Sequence, residues 1–151
     1  MAGETILIVD DNPDNLRLLG GILTGRGYRV RIAGDGQQAL ASAEAAPPDL
    51  VMLDVCMPGM DGYETCRRLK AGEQLDKVPV LFISAMADTA SKAQAFACGG
   101  VDYITKPFQA GEVLARVGTH LKLRRYERRL EKRTEESEER FRRLYNNAQV
   151  G

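Results

Sequence analysis

The most constraining feature of the sequence is a short apolar run, residues 50–54, that ends in a single carboxylate. Four apolar residues bounded by prolines on one side and a Pro-Gly pair on the other are typical of a strand buried on both faces of a parallel sheet. Asp54 closes this run, and ligands bind at the carboxyl ends of strands in open α/β sheets. The carboxylate is therefore either a reactive group or a helix cap. Because the next helix is expected to begin only near Asp61, the sequence favours the reactive group.

Other apolar segments are also expected to be strands that end in chemically active side chains. The predicted strands cover residues 5–9, 28–33, 50–54, 78–83 and 101–105. The first runs into Asp10 and Asp11, the fourth into Ser84, and the fifth into Lys106. The second strand is half polar, so we expect it near an edge of the sheet.

Helical segments separate these strands. Capping residues and apolar spacing predict helices at residues 13–25, 36–46, 62–71 and 89–98, and a longer helix from Gln109. The alternation of five strands with five helices predicts a parallel sheet with right-handed crossovers. The fourth helix has few large apolar residues, so we expect it to pack weakly and to be a candidate for movement.

The side chains at the strand ends indicate phosphoryl-transfer chemistry. If the strands lie side by side, Asp10, Asp11, Asp54, Ser84 and Lys106 meet at one edge of the sheet. Three crowded carboxylates raise a pKa unless a cation neutralises them, and oxygen ligands favour Mg²⁺. A lysine and a hydroxyl would neutralise phosphoryl oxygens while Asp54 acts as nucleophile. Taken singly, Asp10 and Asp11 would also suit a helix start, Ser84 a turn, and Lys106 a surface charge. Their occurrence together at consecutive strand ends favours a functional site.

Composition narrows the class of protein. The 21 basic and 21 acidic residues balance, so no overall charge drives binding to nucleic acid or to an anionic membrane. Three widely spaced cysteines make disulfides and zinc sites improbable, and no apolar run reaches the length of a membrane span. The first residues do not resemble a signal peptide. We therefore expect a reduced, cytoplasmic protein of one domain with a short appendage.

The last predicted helix changes character near His120. After Lys122 it is mostly charged, so we expect it to project from the domain. Apolar or small residues recur every three or four positions, at Leu123, Tyr126, Leu130, Thr134, Ser137, Phe141 and Leu144. This spacing predicts a dimeric coiled-coil connector at residues 120–145, with one break in its heptad repeat. The alternative is a lone solvated helix.

Four stretches together give a specific family resemblance. They are residues 8–12, residues 53–54 together with 57–62, residues 83–85 and residues 102–108. The chain resembles the receiver domain of two-component response regulators over roughly residues 5–118, so residues 1–119 are predicted to form this domain. The resemblance implies a doubly wound, flavodoxin-like sheet of five parallel strands in the order 2-1-3-4-5, followed by an extended C-terminal helix.

The resemblance also implies residue roles. Asp54 would accept a phosphoryl group from a sensor histidine kinase or phosphotransfer protein, and Ser84 and Lys106 would hold the phosphoryl oxygens. Tyr103 would be an aromatic switch coupled to Ser84, and the peptide bond between Lys106 and Pro107 would be cis. Asp10, Asp11, Asp54 and the backbone carbonyl of Cys56 would organise Mg²⁺. The chain would then be a signalling switch rather than an enzyme, with only its own phosphorylation and dephosphorylation as chemistry.

The end of the sequence carries a second, shorter resemblance. Residues 138–148 look like the opening of a PAS sensor domain, which implies that residues 146–151 begin a further domain.

Two other functions compete with the signalling switch. An Mg²⁺-dependent phosphatase with an aspartate nucleophile would use the same side chains, but it needs a second acid at position 56, which is cysteine. A nucleic-acid-binding helix is indicated by the arginines at 124–125 and 128–129, but Glu127 and Glu131 interrupt them. We therefore expect neither nucleic acid nor membrane among the partners.

Overall fold

The computed structural model describes residues 3–150, and its elements alternate as the sequence predicts. They are β1 (Thr5–Val9), α1 (Pro13–Gly25), β2 (Arg29–Ala33), α2 (Gly36–Ala45), β3 (Leu50–Asp54), α3 (Gly62–Ala71), β4 (Val80–Ser84), α4 (Thr89–Ala97), β5 (Asp102–Thr105) and α5 (Ala110–Val150). All neighbouring strands are parallel, in the order β2-β1-β3-β4-β5. The predicted fold class and strand order are therefore confirmed.

Side-chain caps fix where the first four helices begin. Asn12, Asp35, Asp61 and Asp88 each accept a hydrogen bond from a backbone N–H in the first turn of the following helix. These bonds satisfy donors that a helix start leaves without partners. The loops after β1 and β3 consequently have defined lengths, and those loops carry the residues of interest.

Among the boundaries that differ from the sequence prediction, three have a local cause. The strand β4 begins at Val80 because Pro79, which has no N–H, cannot donate to the sheet. The strand β5 begins one residue later than predicted, after the turn at Gly99, whose φ is +105°. Helix α5 continues to Val150 rather than ending at Tyr145, since no proline or glycine follows Gly118 within the helix.

Two apolar layers cover the two faces of the sheet. On one face Leu7, Leu53 and Phe82 pack with residues of α2, α3 and α4; on the other, Ile8 and Met52 pack with α1 and the start of α5. Because alternate residues of one strand face opposite layers, the central strands must be apolar throughout. Both β3 and β4 are buried along their whole length.

The edge strand β2 and the helix α4 are the least buried elements beside the central sheet. In β2, Ile32 is 62% exposed, and Arg31 donates from its guanidinium to the carbonyl oxygens of Ser42 and Ala46 at the end of α2. In α4 only Ala95 is buried, and Phe96 is 49% exposed. The weak packing predicted for this helix is therefore present.

The described chain divides into two compact units, with the boundary between Leu121 and Lys122. The first unit contains the sheet, and the second is helical through Val150. Within residues 3–150, no helix is both long enough and apolar enough to cross a membrane.

A glycine at the start of α3 gives a stability prediction. An added Cβ at Gly62 would overlap the carbonyl oxygen of Asp54 and lie 2.8 Å from Cα of Val55. We expect Gly62→Ala to lower the free energy of unfolding by about 2 kcal/mol or more. Urea denaturation followed by circular dichroism measures this change.

A second glycine provides the matched control. Gly21 lies in the exposed interior of α1 with no atom within 4 Å of an added Cβ. Gly21→Ala should raise the free energy of unfolding by roughly 0.5–1 kcal/mol, because alanine is the better helix former. Equal effects of the two substitutions would show that Gly62 is not sterically required.

Candidate functional site

Three carboxylates converge where β1 and β3 end. Asp10 directly follows β1 and is fully buried, Asp54 is the last residue of β3 and is 3% exposed, and Asp11 is exposed. Each offers one oxygen, and these oxygens lie within 4.8 Å of one another. Burying carboxylates so close together is costly, so the site must contain compensating charge or hydrogen bonds.

The ammonium group of Lys106 supplies part of this compensation. Its Nζ lies 3.1 Å from Oδ2 of Asp10 and 3.4 Å from Oδ1 of Asp54. Asp10 also accepts hydrogen bonds from the backbone N–H of Asn12, at 2.9 Å, and from Nδ2 of Asn15, at 3.1 Å. Asp10 therefore has several donors around it, whereas Asp54 shares one cation with it.

The raised pKa of Asp54 indicates that this compensation is incomplete. Burial, the largest cause, and the negative charge of Asp10 together raise the pKa of Asp54 from 3.8 to about 6, although the positive charge of Lys106 acts to lower it. Ionised Asp54 is therefore less stable here than in water. An additional cation at this point would stabilise the ionised carboxylate.

The donor set fits a hard divalent cation. Carboxylate oxygens are ligands that Mg²⁺ prefers, and Mg²⁺ typically uses only one or two carboxylates while keeping several waters. Asp10, Asp11 and Asp54 form such a group. The residues predicted as metal ligands by their carboxylates are thus brought together.

A hydroxyl at the end of β4 lies at the same edge of the sheet. Ser84 is 1% exposed, and its Oγ accepts a hydrogen bond from the backbone N–H of Met86 at 3.0 Å. The backbone N–H of Lys106 donates to the carbonyl oxygen of Ser84 at 2.8 Å, which ties the ends of β4 and β5 together. The peptide bond from Lys106 to Pro107 is cis, as the resemblance implies.

Tyr103 contacts the same loop from the other side. Its ring is buried, and its hydroxyl donates to the carbonyl oxygen of Met86 at 2.6 Å. The backbone of Met86 is therefore held at its N–H by Ser84 and at its carbonyl by Tyr103. This arrangement links the predicted hydroxyl and the predicted aromatic residue through a single peptide segment.

Two side chains that shape this region were not predicted from the sequence. Asn15 donates to Asp10, and the hydroxyl of Tyr63 donates to the carbonyl oxygen of Ser91 in α4 at 3.1 Å. Tyr63 also packs its ring against Phe82, with centroids 5.7 Å apart. The sequence could have indicated the Tyr63 contact, because a buried tyrosine hydroxyl usually requires a hydrogen-bond partner.

Known proteins are similar to this chain in sequence. Residues 6–118 match the sequence profile described as the response regulator receiver domain. The DNA-binding response regulator MtrA of Mycolicibacterium smegmatis is 40% identical over 119 residues, which are 79% of this chain and 51% of that protein. The DNA-binding dual master transcriptional regulator RpaA of Synechocystis sp. is 43% identical over 112 residues, 74% and 46% of the two chains. The chain thus spans about half the length of these relatives.

A solved structure gives the same comparison in three dimensions. The chemotaxis protein CheY4 of Vibrio cholerae superposes with a TM-score of 0.75 at 30% identity. The superposition covers 78% of this chain and 98% of CheY4.

The raised pKa of Asp54 predicts how stability depends on pH without metal. Between about pH 4 and pH 6 the folded chain retains a proton that the unfolded chain has lost, so stability falls as pH rises. The total loss amounts to about 3 kcal/mol. Asp54→Asn cannot ionise, so at pH 7 in EDTA it should be about 2–3 kcal/mol more stable than the wild type, with a flatter pH profile. Urea titrations from pH 4 to pH 7 measure both effects.

The exposed Asp76 provides a control. Asp76→Asn should leave the pH profile of the wild type essentially unchanged. A wild type as stable as Asp54→Asn at pH 7 would mean that the carboxylate cluster is fully compensated without metal.

Proposed function

The chain belongs to the response regulator receiver domain family, and we propose that its Asp54 carboxylate is the group that accepts the phosphoryl group. The family has a phosphoryl-accepting signalling role. The observation that carries the assignment to Asp54 is its burial beside Asp10 and Lys106, where its ionised form is destabilised and one cation is shared. Phosphorylation converts this carboxylate into an acyl phosphate. The phosphoryl oxygens would then replace the carboxylate as the contact of Lys106.

The proposed reaction transfers phosphorus between two side chains. An oxygen of Asp54 forms a bond to phosphorus while the bond from phosphorus to the donor's histidine nitrogen breaks, and the donor imidazole, already protonated on its other nitrogen, leaves as a neutral ring. Lys106, already within 3.4 Å of Asp54, would contact a phosphoryl oxygen. The Ser84 hydroxyl would release the N–H of Met86 and bind another phosphoryl oxygen.

A magnesium ion fits the acidic cluster described above. Asp10, Asp11, Asp54 and the backbone carbonyl of Cys56 would hold it. When bound, Mg²⁺ would neutralise charge on the carboxylates and on the phosphoryl oxygens. Asp10 and Asn15 would keep the metal-binding side of the site in place through their existing hydrogen bond.

The proposed signal passes through Met86. If the Ser84 hydroxyl turns to the phosphoryl group, it gives up its bond to the Met86 N–H, and the loop before α4 can shift. Tyr103 would follow that loop through its bond to the Met86 carbonyl. Because α4 buries only Ala95, few contacts oppose its movement.

Proposed partners follow from the family and from the charges of the helix. The donor would be a sensor histidine kinase or a phosphotransfer protein, and the cytoplasm, where ATP feeds such donors, is the location we propose. MtrA and RpaA are named as DNA-binding proteins, but this chain matches only about half the length of each. Here Arg124 of the basic run lies 3.4 Å from Glu127 and 3.5 Å from Glu131, so its positive charge is already paired, which supports a helix without a nucleic-acid partner.

The proposed organisation has three parts. Residues 1–119 would form the receiver domain, residues 120–145 a connector that dimerises, and residues 146–151 the start of a PAS-like domain. Support for the connector comes from apolar side chains of α5 that are more than half exposed: Leu123, Tyr126, Leu130, Phe141 and Leu144. The chain's own chemistry would be limited to gaining and losing its phosphoryl group. An Mg²⁺-dependent phosphatase is not favoured by the family match.

The phosphoacceptor is tested by mass spectrometry. With acetyl phosphate and Mg²⁺, the wild type should gain one phosphoryl group, whereas Asp54→Asn should gain none. In Asp11→Asn, phosphorylation should no longer depend on Mg²⁺. Lys106→Ala should still be phosphorylated, but its phosphorylation should no longer change the loop at Met86. Recovery of the phosphoryl group on Ser84 or on any residue other than Asp54 would refute the assignment.

The relay through Met86 is tested by NMR. Beryllium fluoride with Mg²⁺ should shift the amide signals of Met86 and Tyr103, and Ser84→Ala should reduce these shifts at least severalfold because no hydroxyl can exchange partners. Ser42→Ala is a matched control, since Ser42 lies in α2 and its backbone carbonyl, which accepts from Arg31, is kept in the substitution. Full shifts in Ser84→Ala would exclude the serine from the relay.

A further inference from the structure

The second unit of the chain presents an apolar stripe that nothing in the described residues covers. We call it the connector seam, and it consists of Leu123, Tyr126, Leu130, Thr134, Ser137, Phe141 and Leu144. Its five large side chains are between 51% and 70% exposed. Thr134 donates its hydroxyl hydrogen to the carbonyl oxygen of Leu130 at 2.9 Å, so its methyl group remains available for apolar contact. A stripe of this spacing needs another helix to bury it.

The charges beside the seam differ on its two sides. One flank is entirely basic. It consists of the residues that directly precede Leu123, Leu130, Thr134 and Phe141, which are Lys122, Arg129, Arg133 and Arg140. On the opposite flank, the residues just after Tyr126 and Ser137 are acidic, Glu127 and Glu138. Residues at these flanking positions meet across a coiled coil and determine the orientation of its helices.

Parallel pairing with a second copy brings opposite charges together. In a parallel pair, a residue on the first flank faces the residue five positions later in the other helix. Lys122 then faces Glu127 of the second copy, and Arg133 faces Glu138 of the second copy. Symmetry repeats both pairs, which gives four attractive contacts.

Antiparallel pairing brings like charges together. The antiparallel alignment that best matches the seam places Leu123 against Leu144, Tyr126 against Phe141, and Leu130 against Ser137. In antiparallel coils each flank faces the same flank of the other helix. Arg129 then approaches Arg140 of the second copy, and Glu127 approaches Glu138 of the second copy, which is repulsive.

The break in the repeat fixes the alignment of a parallel pair. The seam steps by four residues twice in succession, from Tyr126 to Leu130 and from Leu130 to Thr134, where a regular heptad would alternate three and four. A parallel helix shifted by seven residues would place this break opposite a regular heptad. Only the unshifted alignment matches the two breaks.

Intrahelical ion pairs leave the flanks accessible. Arg143 and Glu139, 2.9 Å apart, lie away from the seam and support the helix itself. Glu127 contacts Arg124 at 3.4 Å, yet its side chain remains 59% exposed, so a lysine from another helix can approach it. We propose that residues 122–144 form a parallel, unshifted coiled coil with a second copy of this chain, an inference that rests on the dimeric connector proposed above.

Sedimentation of the full chain at low salt tests the orientation through one charge reversal. Glu127→Lys should raise the dimer Kd about tenfold in a parallel pair, because it faces Lys122 of the second copy. In an antiparallel pair the same substitution faces Glu138 and should lower the Kd instead. The charge swap Lys122→Glu with Glu127→Lys should return the Kd to within about threefold of the wild type if the pair is parallel.

Two further variants make the test specific. Glu135→Lys changes the net charge equally on the outer face of the helix and should alter the Kd by less than about threefold. Leu130→Glu should abolish dimerisation, and a dimer that survives it would show that the seam is not the interface.

The outcomes separate this inference from the functions on which it rests. A tighter dimer for Glu127→Lys, or a charge swap that fails to restore the Kd, overturns the parallel orientation while leaving the dimeric connector. A wild type that remains monomeric at about 100 μM, a concentration well above micromolar Kd values, with or without beryllium fluoride, overturns both. Neither result would affect phosphorylation of Asp54.

Discussion

One ammonium group shared by two buried carboxylates is the contact on which the site depends. Lys106 contacts Asp10 and Asp54 at the end of a fully apolar strand, and Asp11 adds a third carboxylate close by. The raised pKa of Asp54 reflects its burial first and the negative charge of Asp10 second, which the one positive charge of Lys106 does not offset. The sheet thus holds the Asp54 carboxylate where its ionised form is less stable than in water. A cation bound there would stabilise that ionised form.

Short-range contacts connect the site around Asp54 to the rest of the receiver domain. The backbone of Met86 bonds with Ser84 through its N–H and with Tyr103 through its carbonyl. Because these contacts involve one peptide segment, a change at the serine alters the restraint on the tyrosine. The neighbouring helix α4 is attached by few buried side chains, and the bond from Tyr63 to Ser91 is one of the contacts that hold it. Such an element can adopt alternative positions at low energetic cost.

Much of this arrangement was predictable because strand ends in a parallel sheet share an edge. The sequence located Asp10, Asp11, Asp54, Ser84 and Lys106 after apolar runs, and that rule brought them together. The contacts of Asn15 and Tyr63 were not predictable, since each depends on the distance between elements far apart in sequence. The continuation of α5 past Tyr145 was missed for another reason. Its end was inferred from a resemblance, whereas no local residue there breaks a helix.

The arginine of the edge strand has a consequence for the behaviour of the protein in concentrated solution. An open strand edge invites pairing with the edge of another molecule, and an exposed side chain such as Ile32 would add to that attraction. The guanidinium of Arg31 instead folds over the end of α2 and bonds with its last carbonyl oxygens. Its cationic group stays beside β2 and discourages an approaching strand. Replacing Arg31 with an apolar residue would therefore remove a safeguard against aggregation as well as a helix contact.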